Sequence, residues 1–243
     1  MPALKRTERL QLRYKLMFTT PFHCGTGLRV GLIDRTIVRD HDGYLYVPGS
    51  TLKGVLREHC ERLARLYEDL DPEMLDALAS PHDEKRALVA PGHAPTMITR
   101  LFGSHSTPGR LFFDDARQTT EAKRAYDERG GNKDTSKGKY KAAQVDLATQ
   151  ARISRLSRTA APGALYTSEF GVKDLVFEGQ ISGWLECLSI EEPGAGPTYS
   201  LLLLLAGLHL LDRVGSNKST GKGQCRCEIT KLEYGGKSYA KEE

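Results

Sequence analysis

The chain has 243 residues, 39% of them hydrophobic and 27% charged, with a formal net charge of +4. That length and apolar content allow a sizeable core and exclude a disordered polyelectrolyte. The excess of positive charge is too small to make the whole surface a nucleic-acid binder, so such a site depends on where the cations are placed. Five cysteines in irregular spacing argue against a disulfide framework and for a reducing compartment. The segment MPALKRTERL has no apolar signal region. The most apolar run, Leu201–Leu211, is too short to span a bilayer and contains His209. A cytoplasmic protein with no membrane contact is expected.

In chain order, Glu8–Thr19 alternates, with Leu10, Leu12, Tyr14, Leu16 and Phe18 on one side of a half-buried strand. A glycine-punctuated turn follows at His23–Gly27, then a loop over Val30–Asp42 with a short strand at Thr36–Val38. Tyr44–Val47 reads as another short strand. Pro48-Gly49 ends it, and a helix is predicted from Thr51 to Tyr67, with Ser50 as N-cap and Leu52, Leu56, Cys60, Leu63 and Tyr67 as its apolar stripe. The segment 68–98 reads as a surface insertion. Order resumes at Thr99–Gly103 and in a strand at Gly109–Asp114. The polar, basic segment from Gln118 reads as a mobile loop or marginal helix, part of a second insertion at about 118–150. Val172–Cys187 reads as two strand-like runs broken near Gly179 and Gly183. Thr198–Val214 is a leucine-rich helix, Gly215–Gly223 a glycine- and lysine-rich loop, and Gln224–Tyr234 the last strand. This order predicts an α+β chain, a single ferredoxin-like (RRM-like) β-α-β-β-α-β domain with long insertions. Its antiparallel sheet would carry both helices on one face and leave the other open for a ligand.

Several stretches carry candidate chemistry. A helix N-terminus has unpaired N–H groups and a positive dipole end, and here it is joined by Ser50, Thr51, Lys53 and Arg57. The plain alternative is a capped, solvated helix start. Gly54 weighs against it, because a glycine inside a helix costs about 1 kcal/mol and suggests close approach of another backbone. The loop 215–223 does not fit a P-loop, since the spacing is wrong and Gly223 stands where Ser or Thr is needed. Gly215, Ser216, Asn217, Lys218, Gly221 and Lys222 still compose a loop able to approach phosphates, or else a simple helix-to-strand connection. Asp34 lies between Arg29 and Arg35 and is either an ordinary loop carboxylate, a metal ligand or a proton-transfer group. His23 is either structural, RNA-contacting or an acid/base. Arg152, Arg155 and Arg158, followed by TAAPGALY, form a protruding arm with phosphate-contacting arginines or an ordinary surface hairpin. Cys225 and Cys227 share a strand face with no second cysteine pair nearby, so no zinc site is expected.

These stretches resemble the RAMP superfamily of CRISPR proteins, above all the small backbone subunit of type III effector complexes of the Csm or Cmr kind. The similarity rests on His23-Cys24-Gly25-Thr26-Gly27, on Gly31-Leu32-Ile33-Asp34-Arg35, and on Tyr46–Arg57, which follows an IPGSSLKGxxR pattern. It rests further on Leu101-Phe102-Gly103 with Gly109–Ala116, on Arg152–Phe170 as a thumb hairpin at about 151–170, and on Gly215–Gly223 as a glycine-rich loop. The resemblance implies an RRM-like palm whose copies and relatives line up along a CRISPR guide RNA. His23, Lys53 and Arg57 would hold the guide. The thumb would kink the guide–target duplex, and Asp34 would support cleavage of the target RNA with a divalent ion, magnesium or manganese. It leaves open an inactive structural subunit, or a guide-processing endoribonuclease using His23. The implied partners are guide RNA, target RNA, other type III subunits and further copies of the chain.

Overall fold

A computed structural model describes residues 7–68, 97–104, 108–128, 144–186 and 198–239. Strand β1 (Thr7–Phe18) is the centre of the main sheet. Its alternation comes out as expected: Leu10, Leu12, Tyr14, Leu16 and Phe18 are buried, and the residues between them lie on the opposite face. A short β2 (Tyr46–Val47) leads into helix α1 (Gly49–Glu68). Then come α2 (Met97–Phe102), β3 (Leu111–Phe113), β4 (Ala116–Arg117) and α3 (Thr120–Tyr126). A separate hairpin joins β5 (Val145–Ile153) to β6 (Ala160–Gly171). The main sheet resumes with β7 (Val176–Glu186), then helix α4 (Tyr199–His209), β8 (Cys225–Tyr234) and β9 (Lys237–Tyr239).

The sheet runs β2-β4-β7-β1-β8-β9, with β3 also on β7, and its strand pairs are antiparallel. Taking β1, β3, β7 and β8 as the four core strands, their spatial order is β8-β1-β7-β3. This is the split βαβ arrangement of a ferredoxin-like fold, and α1 and α4 supply its two helices. Both helices contribute to the same core: Leu52, Leu56 and Cys60 from α1 pack with Leu201, Leu204 and Leu208 from α4. They approach closely at Gly207, where a Cβ would lie 2.6 Å from Cys60 Sγ. Thr198 caps α4, its hydroxyl accepting the Leu201 N–H at 3.3 Å.

The structure departs from the expectation in instructive ways. Residues 176–186 form one strand, and Gly179 and Gly183 do not break it. They sit opposite Tyr14 and Leu10, and a Cβ at Gly179 would lie 2.2 Å from the Tyr14 hydroxyl oxygen. The glycines make room for large neighbours. Ser50 is not the N-cap of α1: the helix already starts at Gly49, whose N–H donates to Asp115 Oδ1 at 3.0 Å. A side chain at residue 49 would run into the Phe113 carbonyl, 2.1 Å from its Cβ, which explains the glycine of Pro48-Gly49.

The hairpin is also longer than the expected thumb. Its first strand begins at Val145, inside the stretch read as an insertion, and its tip is at 154–159. Gly235-Gly236, both at positive φ, turn the chain into β9, an extra edge strand. Most of the 68–98 insertion, and residues 129–143 of the second, lie outside the described residues.

Candidate nucleic-acid interface

The end of β1 delivers His23 to the root of the hairpin. There Phe22 and Gly171 exchange backbone hydrogen bonds, 3.1 and 2.8 Å, fastening β6 to the palm. His23 is 3% exposed, and its Nδ1 lies 2.6 Å from the Glu169 carbonyl oxygen. As that oxygen can only accept, Nδ1 carries the proton and Nε2 is left as acceptor. Burial holds the imidazole below its ordinary pKa, so it is neutral at physiological pH. Here His23 is an internal support between β6 and the loop 215–223, whose Ser216 N–H donates to the His23 carbonyl at 2.9 Å.

That loop is tightly folded. Gly215, at φ 95, passes so close to His23 that a Cβ would lie 2.6 Å from its carbonyl oxygen. Asn217 is left-handed and precedes a single 3-10 turn, Lys218–Thr220. The N–H groups of Ser216, Thr220, Gly221, Lys222 and Gly223 all donate to carbonyls within the protein. What the loop turns outward is chiefly side chains. Lys218 pairs with Glu58 of α1 at 3.2 Å, and Lys222 Nζ sits 5.1 Å from the centroid of the Phe170 ring.

The Asp34 loop docks on the same root. Val30 and Ile33 form a tight reverse turn through two 3.0 Å backbone hydrogen bonds, which leaves Leu32 at its tip 94% exposed. Asp34 then pairs with β6: its N–H donates to the Thr167 carbonyl at 2.9 Å, and its Oδ2 accepts the Thr167 N–H at 2.9 Å. Oδ1 accepts from Arg29. The Thr167 N–H foremost, and then the Arg29 guanidinium, hold the carboxyl below its ordinary pKa. Beyond it, Glu169 is buried, with Oε2 accepting the Ile37 N–H at 2.9 Å and Oε1 paired to Arg39 at 2.8 Å.

On α1, Ser50 and Gly54 are exposed, and Thr51, Lys53 and Arg57 are partly so. Among the described residues, nothing outside the helix's own backbone lies within 4 Å of where a Cβ at Gly54 would be. Arg57 is tied to Glu61 at 2.8 Å. Among the described residues Lys53 has no ion-pair partner. Arg152 and Arg155 lie elsewhere, exposed on the outer part of the hairpin, and Leu156 at its tip is 99% exposed.

The structure thus brings His23, Asp34 and the loop 215–223 together, with α1 linked to them through Lys218, and holds Arg152 and Arg155 out on the arm. Sequence reasoning missed Arg35, Thr167 and Glu169. The first was seen only as a neighbour of Asp34, and the others lie in a strand whose pattern carries no signal of a buried carboxylate. This chain would offer a divalent ion a single carboxylate, that of Asp34. Among the described residues no group of three or more His, Cys, Asp or Glu side chains could hold a metal ion, and both Asp34 oxygens already have donors. Among the described residues, too, no helix is long and apolar enough to cross a membrane.

A ferredoxin-like palm with a two-stranded arm and a compact glycine-rich loop at its root defines the architectural class. The model of the RAMP superfamily matches residues 15–226, and the chain belongs to that superfamily. The "CRISPR system Cmr endoribonuclease Cmr4" of Pyrococcus furiosus (strain ATCC 43587 / DSM 3638 / JCM 8422 / Vc1) is 37% identical over 67 residues, 27% of this chain and 21% of that protein. The match therefore spans about a fifth of the relative. Chains from two cryo-electron microscopy structures of a type III-B Cmr-beta complex share the fold. One is the apo state (TM-score 0.52, 14% identity) and the other is bound to cognate target RNA (TM-score 0.51, 13% identity). Each match covers 90% of this chain and 96% of the other.

Proposed function

We propose that this chain is a guide-RNA-binding backbone subunit of a type III CRISPR interference complex, and that Asp34 supports cleavage of the complementary target RNA. The observation that carries the reading is the meeting of the Asp34 loop, the loop 215–223 and the hairpin root in one place, joined through Thr167, Glu169 and His23. Superfamily membership, the relative named as a Cmr endoribonuclease and the shared fold with Cmr-beta chains support it.

Lys53 and the exposed face beside Gly54 are placed to receive a sugar-phosphate backbone, with Arg152 and Arg155 reaching phosphates farther along. Sequence recognition belongs to base pairing between guide and target, and neighbouring copies and other subunits would extend the track. In cleavage, the 2′-hydroxyl oxygen beside the scissile phosphate bonds to phosphorus and the P–O5′ bond breaks. The 2′-hydroxyl gives its proton to solvent water and the leaving 5′-oxygen takes one from solvent water. Asp34 is ionised throughout, and the Arg29 guanidinium beside it supplies the positive charge that lets a phosphodiester approach. A divalent ion would supply further charge stabilisation, held in large part by RNA oxygens, because Asp34 is the one protein carboxylate this reading gives it.

A second reading keeps the subunit and makes Asp34 purely structural. Its reciprocal pairing with Thr167 favours that reading. Guide processing by His23 gains no support, because the ring is buried and its N–H is engaged by Glu169. The test is end-labelled target RNA offered to the assembled, guide-loaded complex. The proposal expects cuts only in RNA complementary to the guide, leaving 2′,3′-cyclic phosphate and 5′-hydroxyl ends. Intact complementary RNA, or an assembly that forms without guide and without this chain, counts against it.

A further inference from the structure

Arg35 follows Asp34 in the chain but faces the other loop. Its Nη1 donates to Asn217 Oδ1 at 3.2 Å and its Nη2 to Ser216 Oγ at 3.0 Å. Both acceptors are neutral. Arg29, Arg39, Arg57 and Lys218 nearby each have a carboxylate partner, whereas among the described residues Arg35 has none. Lys222 is a second cation of this kind, with the Phe170 ring as its neighbour. The two share one anchor, because Lys222 N–H donates at 3.3 Å to the carbonyl of the same Asn217 whose side chain receives Arg35.

A half-buried guanidinium without a counter-ion has lost hydration that no charge replaces. Here two neutral acceptors fix the orientation of its planar fork while leaving its charge unmatched. An anion that presents two oxygens to that fork meets both needs, as a phosphodiester does with its two non-bridging oxygens. Five of the loop's backbone N–H groups, those of Ser216, Thr220, Gly221, Lys222 and Gly223, are already bonded within the protein. The positive charge at this place comes from the Arg35 and Lys222 side chains.

We propose that Arg35 and Lys222 form a two-cation phosphate clamp where the Asp34 loop meets the loop 215–223, and that Arg35 thereby fixes Asp34 relative to the bound strand. The proposal rests on the RNA-binding reading above and adds a ligand site to it. Arg35 and Asp34 are consecutive, with Cα atoms about 3.8 Å apart. A phosphate held by one sets the reach of the other.

The test uses the full chain and a fluorescein-labelled, unstructured single-stranded RNA, with anisotropy followed across a salt series. Arg35→Gln keeps a donor for Ser216 and removes the charge. It should weaken binding about tenfold and lower the slope of log K against log salt by about 0.7, the contribution of one phosphate contact on a single strand. Lys222→Gln, which disturbs only a ring contact, should lower the slope by a similar amount. Arg35→Lys should restore the slope but not the full affinity. Arg9→Gln, near the opposite end of β1, should leave both unchanged. Wild-type slopes in Arg35→Gln and Lys222→Gln, or an equal loss in Arg9→Gln, would overturn the clamp while the RNA-binding reading stands. A wild-type chain that binds the RNA without salt dependence would overturn both.

Discussion

Asp34 and Thr167 hold each other twice. The Asp34 N–H donates to the Thr167 carbonyl and the Thr167 N–H donates to Asp34 Oδ2, both at 2.9 Å. The carboxylate takes the place of a backbone carbonyl and extends the edge of β6 by one bonded pair, so the loop is fixed to the hairpin by the same residue proposed to serve the chemistry. Asp34→Asn keeps a carbonyl acceptor for Thr167, whereas Asp34→Ala does not, and the asparagine variant should melt closer to wild type. The folded pKa lies below the ordinary value of 3.8, so the charge-dependent part of this stability is present above that value and is lost as pH falls through the lower, folded pKa. Urea titrations should show a constant gap between wild type and Asp34→Asn from neutral pH down to about 4 and a shrinking gap below. A gap that closes between pH 7 and 5 would contradict the assigned ionisation.

Glu169 is the buried junction of the site. Glu169→Ala removes the acceptor of the Ile37 N–H and breaks the ion pair with Arg39. Loss of one member of a buried pair costs about 3–5 kcal/mol, which equilibrium unfolding would register directly. A loss below about 1 kcal/mol would mean that the hairpin root is held by other contacts.

His23 predicts a pH dependence of the opposite window. Burial lowers its folded pKa below 6.5, so the unfolded chain binds the proton more readily. The stability from the neutral ring is complete above 6.5 and declines as pH falls from there to the folded pKa. His59 on α1 is shifted in the same direction, also mainly by burial, so the two must be separated. His23→Asn keeps an N–H for the Glu169 carbonyl without the titration, and its stability should fall less steeply below pH 6.5 than that of wild type. An unchanged slope would assign the effect to His59.

Lys53 and Arg57 share a helix face but should respond differently. Lys53 is free of ion pairs among the described residues, whereas Arg57 is held by Glu61. Lys53→Ala should weaken RNA binding irrespective of sequence and reduce its salt slope, and Arg57→Ala should do so less. Equal losses would show that RNA displaces Glu61.

The palm was legible in the sequence because its strands and helices obey simple periods. Leu10 to Phe18 alternate, and Leu52, Leu56 and Cys60 recur at helical spacing. The hairpin was only half legible. Along Val145–Ile153 most side chains are exposed on both faces, so the strand shows no burial alternation and reads as loop. Gly179 and Gly183 misled for the opposite reason, because a glycine that accommodates a tyrosine or a neighbouring carbonyl looks the same as one that ends a strand. At the site, Asp34 and the loop 215–223 stood out by residue type. Their joining through Arg35, Thr167 and Glu169 depends on contacts between segments more than 130 positions apart, which no local pattern records.

The most direct test of the account is cleavage of complementary RNA by the fully assembled, guide-loaded complex, built once with the wild-type chain and once with Asp34→Ala. The account predicts equal guide content and equal target binding in both, with the cuts assigned to this subunit absent from the variant. Cuts that persist at wild-type rate and position in the Asp34→Ala complex would contradict the role given to Asp34.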